Sequence, residues 1–187
     1  MRRLLAGDTV DEDHVVTVRA ARLYTRPTAS PPLFAAAMTP QTAREVASWA
    51  DGLITVNAPR DALRQILDAF RDGGGEGKPV HLQVHLSWAE TDEEVRAQAM
   101  DQWRLNALPP ALTEELELPE QFDAATEHVP SEALESSVLM SADPGRHAEV
   151  LASYAELGIE RVYLHQVGRD QERFLDVFGD RVLPQLR

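Results

Sequence analysis

Hydrophobic positions along the chain fall into two kinds of segment, short apolar runs and longer stretches with helical spacing. Three runs, at 33–37, 53–56 and 162–167, are nearly continuous, which is typical of strands buried on both faces of a parallel sheet. The segment 80–88 alternates instead. Its apolar positions are Val80, Leu82, Val84, Leu86 and Trp88, and its polar positions are His81, Gln83, His85 and Ser87. This period of two predicts a strand with two unlike faces.

Segments with helical spacing lie between these strands, and each begins with a recognisable start signal. Thr39 followed by Pro40 predicts an N-cap with proline in the first turn, and Pro59 predicts the start of the next helix. Thr91 and Glu94 have the spacing of a capping box. The glycines at 73–75 predict the end of the second helix.

The order of elements indicates βα units and a parallel sheet. Four strand–helix units are predicted, starting at Leu33, Leu53, Val80 and Val162. A (β/α)₈ barrel needs eight units, and four parallel strands leave two open edges. The pattern alone therefore fits either a small doubly wound sheet or part of a barrel.

The remaining segments carry weaker patterns. A β-branched run at 15–18 predicts a strand after an acidic turn at 11–13, within a leading segment and connector at 1–32. Residues 105–137 are interrupted by prolines, which predicts a helical insertion with short helices around 112–116 and 122–125. We expect residues 1–187 to form a single domain.

Composition narrows the classes of partner. The formal net charge of −13 disfavours nucleic acid and anionic membrane, and the chain has no cysteine for disulfides, thiolate metal sites or a thiol nucleophile. No apolar run approaches the ~20 residues of a membrane span. His81 and His85 share a strand face, but at ~3.3 Å per residue they are too far apart for one metal ion, so we expect a polar interior and no metal site. The protein is expected to be cytoplasmic.

Several stretches in this order resemble the C-terminal half of the luciferase-like monooxygenase superfamily. They are Arg22–Pro27, Pro31–Ala43, Asp51–Thr55, Ser141–Pro144 and Val162–Gly168. The resemblance covers nearly the whole chain and is nearest to the branch of deazaflavin-dependent sugar-phosphate dehydrogenases and their FMN-using relatives. It implies an α/β fold, a partial (β/α)₈ TIM barrel of about the last four βα units with the helical insertion before the last.

The resemblance also implies FMN or coenzyme F-420 as cofactor, with hydride transfer at the flavin N5 atom and a small-molecule substrate. Met38, Thr39 and Pro40 would lie against the cofactor tail, although Thr39 stands where the family has glycine. Thr55 ends the next strand and would line the site. A plain helix cap at Thr39–Pro40 remains the alternative interpretation.

Other polar residues are weaker candidates for the pocket. His85, Ser87 and Gln166 would face a ligand, and His165 would be either a proton donor or a hydrogen-bonding group in the barrel mouth. Asn57 is expected to cap the helix that opens at Pro59.

One basic residue, Arg146, matches a phosphate-binding position of the sugar-phosphate branch. The lysines of that branch are replaced by Ala58-Pro59-Arg60 and are missing near Pro119-Glu120-Gln121, which argues against a glucose-6-phosphate substrate. Trp103 falls on an apolar helix face and is predicted to be core or interface rather than a stacking platform.

Three functions follow as alternatives. The first is a flavin or deazaflavin oxidoreductase, inactive or very weak as this chain alone, because the histidine and glutamate of the family's N-terminal half have no counterpart here. The second is a non-catalytic half-barrel scaffold or ligand-binding protein that acts as a dimer. The third, a free-standing nucleotide-binding domain, lacks a glycine-rich loop after the first strand. Open edges predict a homo-oligomer or a complementing half-barrel as partner.

Overall fold

The computed structural model describes residues 1–186, and the chain divides into two compact units, residues 1–33 and the part from Phe34 onward. The first unit holds a short helix, α1 (Arg2–Ala6), and an antiparallel hairpin of β1 (Val10–Asp13) and β2 (Thr17–Ala21). None of the helices in the described chain combines the length and apolar character that a membrane crossing requires.

The hairpin corrects the expectation for this segment. The acidic residues 11–13 lie in a strand and not in a turn, while Val15 and Val16 lie at the tip and are exposed. One face of β1 is open to solvent, so carboxylates are tolerated in this strand. The β-branched residues alone were therefore not sufficient to predict where the strand lies.

The second unit is a parallel sheet with helices between its strands. The strands are β3 (Phe34–Ala36), β4 (Gly52–Val56), β5 (Val80–Ser87), β6 (Leu139–Met140) and β7 (Arg161–Gln166). The helices are α2 (Pro40–Val46), α3 (Arg60–Phe70), α4 (Asp92–Trp103), α5 (Pro110–Thr113), α6 (Pro119–Thr126), α7 (Pro144–Ala155) and α8 (Gln171–Val177). Short 3₁₀ or π turns occupy Arg71–Gly75, Arg104–Ala107, Ser131–Leu134, Phe178–Val182 and Leu183–Leu186.

The predicted helix starts are present. Thr39 accepts a hydrogen bond from the backbone N–H of Thr42 at 3.2 Å, and Thr91 and Glu94 form the capping box of α4. α3 continues through a wider π turn to Gly75, where Gly74 adopts the left-handed φ of 103°. Residues with that φ are usually glycine, so the predicted stop lies where expected.

Strand order follows from the register. β5 pairs with β4 along residues 80–83 and with β7 along residues 81–86, so these neighbours occupy opposite edges of β5. In the described chain β3 pairs with β4 alone and β7 with β5 alone. The sheet therefore has two unpaired borders.

β6 is a fifth parallel strand that the sequence did not predict. It has two residues, and Leu86 of β5 has both Leu139 and Gln166 as register partners. Since β7 occupies one edge of β5, β6 must share the other edge with β4, beyond the point where β4 ends. Two residues give no periodicity, which is why the pattern missed it.

The two faces of the sheet differ as the alternation in β5 predicts. Val80, Leu82, Val84 and Leu86 are at most 4% exposed and lie in one hydrophobic cluster with residues from α2, α3, α7 and α8. Three of the four predicted polar positions, His81, Gln83 and His85, are partly exposed on the opposite, inner face. A parallel sheet covered by helices on one face is the arrangement of a barrel wall.

The amino-terminal part of the inner face carries an aromatic row across three strands. The Phe34 ring stacks on His81 with centroids 4.3 Å apart, and Tyr163 meets the same ring edge-on at 5.7 Å. Gly52 of β4 lies between Phe34 and His81, and a Cβ added to it would overlap the Phe34 ring. A glycine at this position of β4 is required for the ring to reach across.

Candidate functional site

A cavity opens at the carboxyl ends of β3, β4 and β5, where (β/α)-barrel proteins build their sites. Its volume is about 270 Å³. The residues lining this β3–β5 cavity are Met38, Thr55, Val56, Asn57, Ala58, Ile66, His85, Trp103, Asn106, Ser136 and Ser137. Three of the predicted site residues, Met38, Thr55 and His85, are thus brought together.

Thr39 and Pro40 follow Met38 directly and begin α2. The Thr39 hydroxyl accepts from Thr42 N and donates to Thr42 Oγ1 at 3.0 Å, so it acts as a helix cap. Met38 is 68% exposed beside them. The predicted cap is therefore confirmed, and contact of this turn with a cofactor stays a prediction.

Thr55 points to the helix side of β4 and is 3% exposed. Within residues 1–186 its hydroxyl Oγ1 has no hydrogen-bond partner. Leaving a buried hydroxyl unpaired costs about 1–3 kcal/mol, so such groups are uncommon unless a ligand or water completes them. Thr55 is a group to which a bound molecule could add a hydrogen bond.

His85 lies in a cluster of three rings on the inner face. Its ring centroid is 4.9 Å from that of Trp103 and 5.3 Å from that of His165, and Trp103 and His165 are 4.9 Å apart. Burial lowers the pKa of His85 below its usual range, and the neighbouring His165 lowers it further. The Gln83 amide nitrogen lies 3.1 Å from His85 Nε2 and donates to it, which requires a neutral ring.

Trp103 was predicted to lie in the core or at an interface, and it does pack, partly buried, against the second hydrophobic cluster, that of Ala99, Leu134, Val138 and Val167. The indole lines the β3–β5 cavity and packs on both histidines, and its Nε1–H is buried with no acceptor among the described residues. α4 ends at Trp103, so the side chain projects from the end of the helix over the inner face of the sheet. The apolar helical pattern could not distinguish core from cavity wall.

Asn57 is also used differently from expectation. It does not cap α3, whose N-cap Pro59 has no side-chain cap bond. Instead Asn57 Oδ1 accepts from the His85 backbone N–H at 2.9 Å, and Asn57 Nδ2 donates to the Ser137 carbonyl at 3.0 Å. Its amide thus fills the gap between β4 and β6 on the edge of β5, and it fixes the backbone that carries His85.

Ser87 and Gln166 do not face this cavity. Ser87 is fully buried and donates to the Val95 carbonyl at 2.8 Å, which ties β5 to α4. Gln166 accepts from Trp88 N at 3.0 Å and donates to Trp88 O at 2.8 Å. Both groups of this amide continue the pairing of β7 with the end of β5, and contact of Ser87 or Gln166 with a ligand stays a prediction.

Arg146 lies in a separate cavity with Asp92 and Arg96, and its guanidinium forms an ion pair with Glu149 at 2.7 Å. Arg60, which follows β4, donates to Ser153 O at 3.2 Å and pairs with Glu156 at 2.8 Å. Both arginines are directed to α7 and the residue that follows it, and neither lines the β3–β5 cavity.

His165 lies beside the cavity, on β7. Its Nδ1 is buried and has no partner in the part of the chain that the structure describes, while its ring packs against His85 and Trp103. The packing accounts for its position, and its part in proton transfer stays a prediction.

Comparison with known proteins places these observations in a family. The profile described as luciferase-like monooxygenase matches residues 1–161. An F-420-dependent glucose-6-phosphate dehydrogenase of Nakamurella multipartita is 31% identical over 89% of this chain and 51% of its own length. That of Rhodococcus erythropolis is 28% identical over 100% and 58%. The chain therefore spans little more than half the length of these curated relatives.

Solved structures share the fold. An F-420-dependent secondary alcohol dehydrogenase in complex with an F-420–acetone adduct superposes with a TM-score of 0.83 at 20% identity, covering 100% of this chain and 58% of that one. The F-420-dependent tetrahydromethanopterin reductase of Methanopyrus kandleri gives 0.70 at 15% identity, over 99% and 60%. The predicted partial-barrel fold is confirmed.

Proposed function

Because the chain belongs to the luciferase-like monooxygenase family, we propose that its β3–β5 cavity forms part of the site for FMN or coenzyme F-420 in a cytoplasmic oxidoreductase acting on a small molecule. The relatives described above are named for F-420, and structures of similar fold include a riboflavin lyase with a modified FMN. The cavity lies at the strand ends where barrel enzymes bind ligands.

One observation carries the proposal: two buried donors at the cavity have no partner within residues 1–186, Thr55 Oγ1 and Trp103 Nε1. A flavin or deazaflavin ring is a planar apolar body with carbonyl and nitrogen acceptors at its edge. Apolar side chains such as Met38, Val56 and Ile66 supply contact area beside those donors. The residues present therefore fit such a ring.

The volume of about 270 Å³ falls just below the ~300–1,000 Å³ of complete small-molecule pockets. We infer that this chain supplies one wall of the site. Thr55 would hold the polar edge of the ring, while Met38 and the turn at Thr39–Pro40 would lie along the cofactor tail. When bound, the cofactor supplies hydride transfer at its N5 atom, and the protein binds and orients it.

The other wall requires a partner in this proposal. β3 and β7 are unpaired borders in the described chain, and parallel edge strands with free backbone groups favour pairing. We propose that copies of this chain associate through these borders or that a complementing half-barrel covers them. Light scattering at micromolar concentration should show a species larger than one chain, and a well-behaved monomer would contradict self-association.

Cofactor binding is tested on the purified chain by titration with FMN and, separately, with F-420. We expect quenching of cofactor fluorescence and a rise in melting temperature, because a ligand that binds the native state stabilises it. Thr55→Val keeps the side-chain shape and removes the hydroxyl, so it should weaken binding several-fold, on the order of one hydrogen bond. Ser48→Ala, on the surface beyond α2, is the matched control and should bind as the parent does.

If neither cofactor changes the melting temperature or its own fluorescence, the redox proposal fails. That outcome would favour a half-barrel scaffold that binds no flavin. Equal affinity of the Thr55→Val variant and the parent would reject the assignment of Thr55 while leaving the cofactor assignment in place.

A further inference from the structure

The two borders of the parallel sheet lack the features that usually keep an edge strand from pairing. Self-contained proteins block such edges with charged side chains, prolines or bulges. β3 contains none of these, and β7 has one charged residue, Arg161, at its first position. Neither border strand contains an acidic residue, although the formal net charge of the chain is −13. Both borders are therefore suited to pairing with a further strand.

The exposed area of the chain is larger than that of a self-contained protein of the same mass. A monomer of 20.8 kDa is expected to expose about 8,900 Å², whereas this chain exposes 11879 Å². The excess is on the order of 3,000 Å², and a third of it already exceeds the ~800 Å² per partner of a standard interface. The chain thus has enough uncovered surface for a stable dimer.

The aromatic row on the inner face indicates which surface would cover it. Phe34 of β3 and Tyr163 of β7 form the two ends of this row, with His81 between them. Tyr163 is 42% exposed, and Phe34 is partly exposed. Each end can accept one more ring, so the border that carries Phe34 is complementary to the border that carries Tyr163. A second copy of this chain supplies both.

The geometry of an eight-stranded barrel determines the register in which two copies would meet. Four strands of each copy span the wall, because the two-residue β6 shares an edge of β5 with β4, and the register pairs set Ala36 level with Arg161. A (β/α)₈ barrel closes with a shear of about eight residues, so each identical half contributes about four. Because barrel strands tilt with a right-handed sense, this offset runs toward the start of the next strand. His165 then lies beside the partner's Ala36, and Tyr163 beside the partner's Phe34.

This register satisfies conditions that did not enter its derivation. Inner-face residues of β7 meet inner-face residues of β3, and Leu164 on the helix side meets Ala35 on the helix side. All of these residues lie within strands that the chain already forms. An offset of the opposite sign would set β3 beside residues 155–157, at and after the end of α7, where no strand is present.

We propose that two copies of this chain close an eight-stranded barrel, with β7 of each copy parallel to β3 of the other, and that the partner's His165 completes each β3–β5 cavity. The two aromatic rows then join into one closed belt, and Met38, which is 68% exposed next to this border, becomes covered. The inference rests on the proposed function for the association of the borders. It adds the identity of the partner, the register and the residue that the partner contributes.

Cysteine cross-linking tests the register, because the chain has no cysteine of its own. Ala36→Cys and His165→Cys are made as separate variants, co-expressed and treated with a short bismaleimide. The pair should give a cross-linked species of twice the chain mass on a denaturing gel. Each variant alone should not, because equivalent residues lie on opposite sides of a closed barrel. Arg161→Cys is the matched control: it lies on the same face of β7 but about 13 Å farther along the strand, so it should not cross-link with Ala36→Cys.

Substitution of the belt tests the strength of association. Tyr163→Ala removes an aromatic contact from both borders, since the twofold symmetry repeats it, and should raise the dimer dissociation constant at least about ten-fold. Tyr163→Phe keeps the ring and should associate as the parent does. Tyr24→Ala, at a tyrosine that is 90% exposed in the first unit, is the control and should leave association unchanged. Analytical ultracentrifugation measures the constants, and circular dichroism checks that each variant is folded.

The outcomes separate this inference from the proposed cofactor function. A monomer at micromolar concentration overturns the inference, as does either single-cysteine variant that cross-links with itself as readily as the pair does. Cross-linking of Arg161→Cys in preference to His165→Cys, or association of folded Tyr163→Ala as tight as that of the parent, also overturns it. A monomer that binds FMN or F-420 leaves the cofactor proposal in place. A dimer that cross-links as expected but binds neither cofactor rejects the redox function and supports the paired borders.

Discussion

The two faces of β5 are made by one segment of eight residues, yet they relate to their surroundings in opposite ways. On the helix side Leu82, Val84 and Leu86 are fully buried against helices of the same chain. On the inner side His81, Gln83 and His85 are partly exposed and polar. The helix side is completed by local βα units, whereas the inner side leaves polar side chains partly exposed beside the β3–β5 cavity.

Replacing a residue on the helix side of β5 should have the largest effect on the free energy of unfolding. Leu82→Ala leaves a cavity under helices that cannot fully collapse, and should lower the free energy of unfolding by about 2–5 kcal/mol. Gln83→Ala, one residue away on the inner face, should cost under about 1 kcal/mol because a partly exposed side chain loses little burial. Urea denaturation measures both, and equal losses would remove the distinction between the faces.

A polar exception among the buried residues is the next test. Gln166→Leu should lower the free energy of unfolding by about 1–3 kcal/mol, since the Trp88 backbone N–H loses its acceptor in a buried place. Trp88 O retains a donor from Gln98, so only one group is orphaned. Gln185→Leu, in the exposed C-terminal turn, is the control and should be near neutral. An unchanged urea midpoint for Gln166→Leu would reject this role.

The difference between the helix side and the inner side of β5 also explains how much of the fold and of the site the sequence could predict. The alternation of 80–88, the helix of 60–70 and the caps at Thr39 and Thr91 were all correct, because each depends on neighbours within a few residues. Asn57 and Ser137 lie 80 positions apart, and Gln166 and Trp88 lie 78 apart. Contacts of that kind form only when the sheet assembles, and so does the packing of Trp103 at the cavity wall. Neither leaves a signal in the local sequence pattern.

A smaller change in stability is expected from pH, and it can be compared between His147 on the helix side of the sheet and His85 on its inner side. Burial lowers the pKa of His147, which packs under Phe178 on the helix side, and also that of His85 on the inner side. Below the ordinary value of 6.5 the unfolded chain therefore binds more protons than the folded one. Stability should fall as pH drops through 6.5 and level off once the folded-state pKa values are passed.

Urea unfolding at pH 7 and pH 5 checks this sign. His147→Gln should reduce the acid-dependent loss more than His85→Gln does, because His147 is fully buried while His85 is partly exposed. A loss of stability that is larger in His85→Gln than in the parent would contradict the account.

The smallest effect is expected at the mouth of the cavity. Thr39→Ala removes the cap of α2 and should lower stability by about 1 kcal/mol, while Thr39→Ser keeps the acceptor for Thr42 N and should restore most of it. Urea midpoints of the parent, Thr39→Ala and Thr39→Ser measure these differences in stability. A serine variant as unstable as the alanine variant would show that the methyl group, and not the cap, matters.

The shared edge of β5 has a consequence for motion. β6 is attached by two register pairs, and the Asn57 amide holds the preceding Ser137, whereas β4 keeps its own pairs along residues 80–83. The helical segment that leads to β6 is therefore held to the strand ends by these few backbone and amide bonds and by the buried side chains of Leu134 and Val138. Local openings need far less free energy than global unfolding, so we expect the backbone amides of this segment to exchange hydrogen with solvent sooner than those of β4.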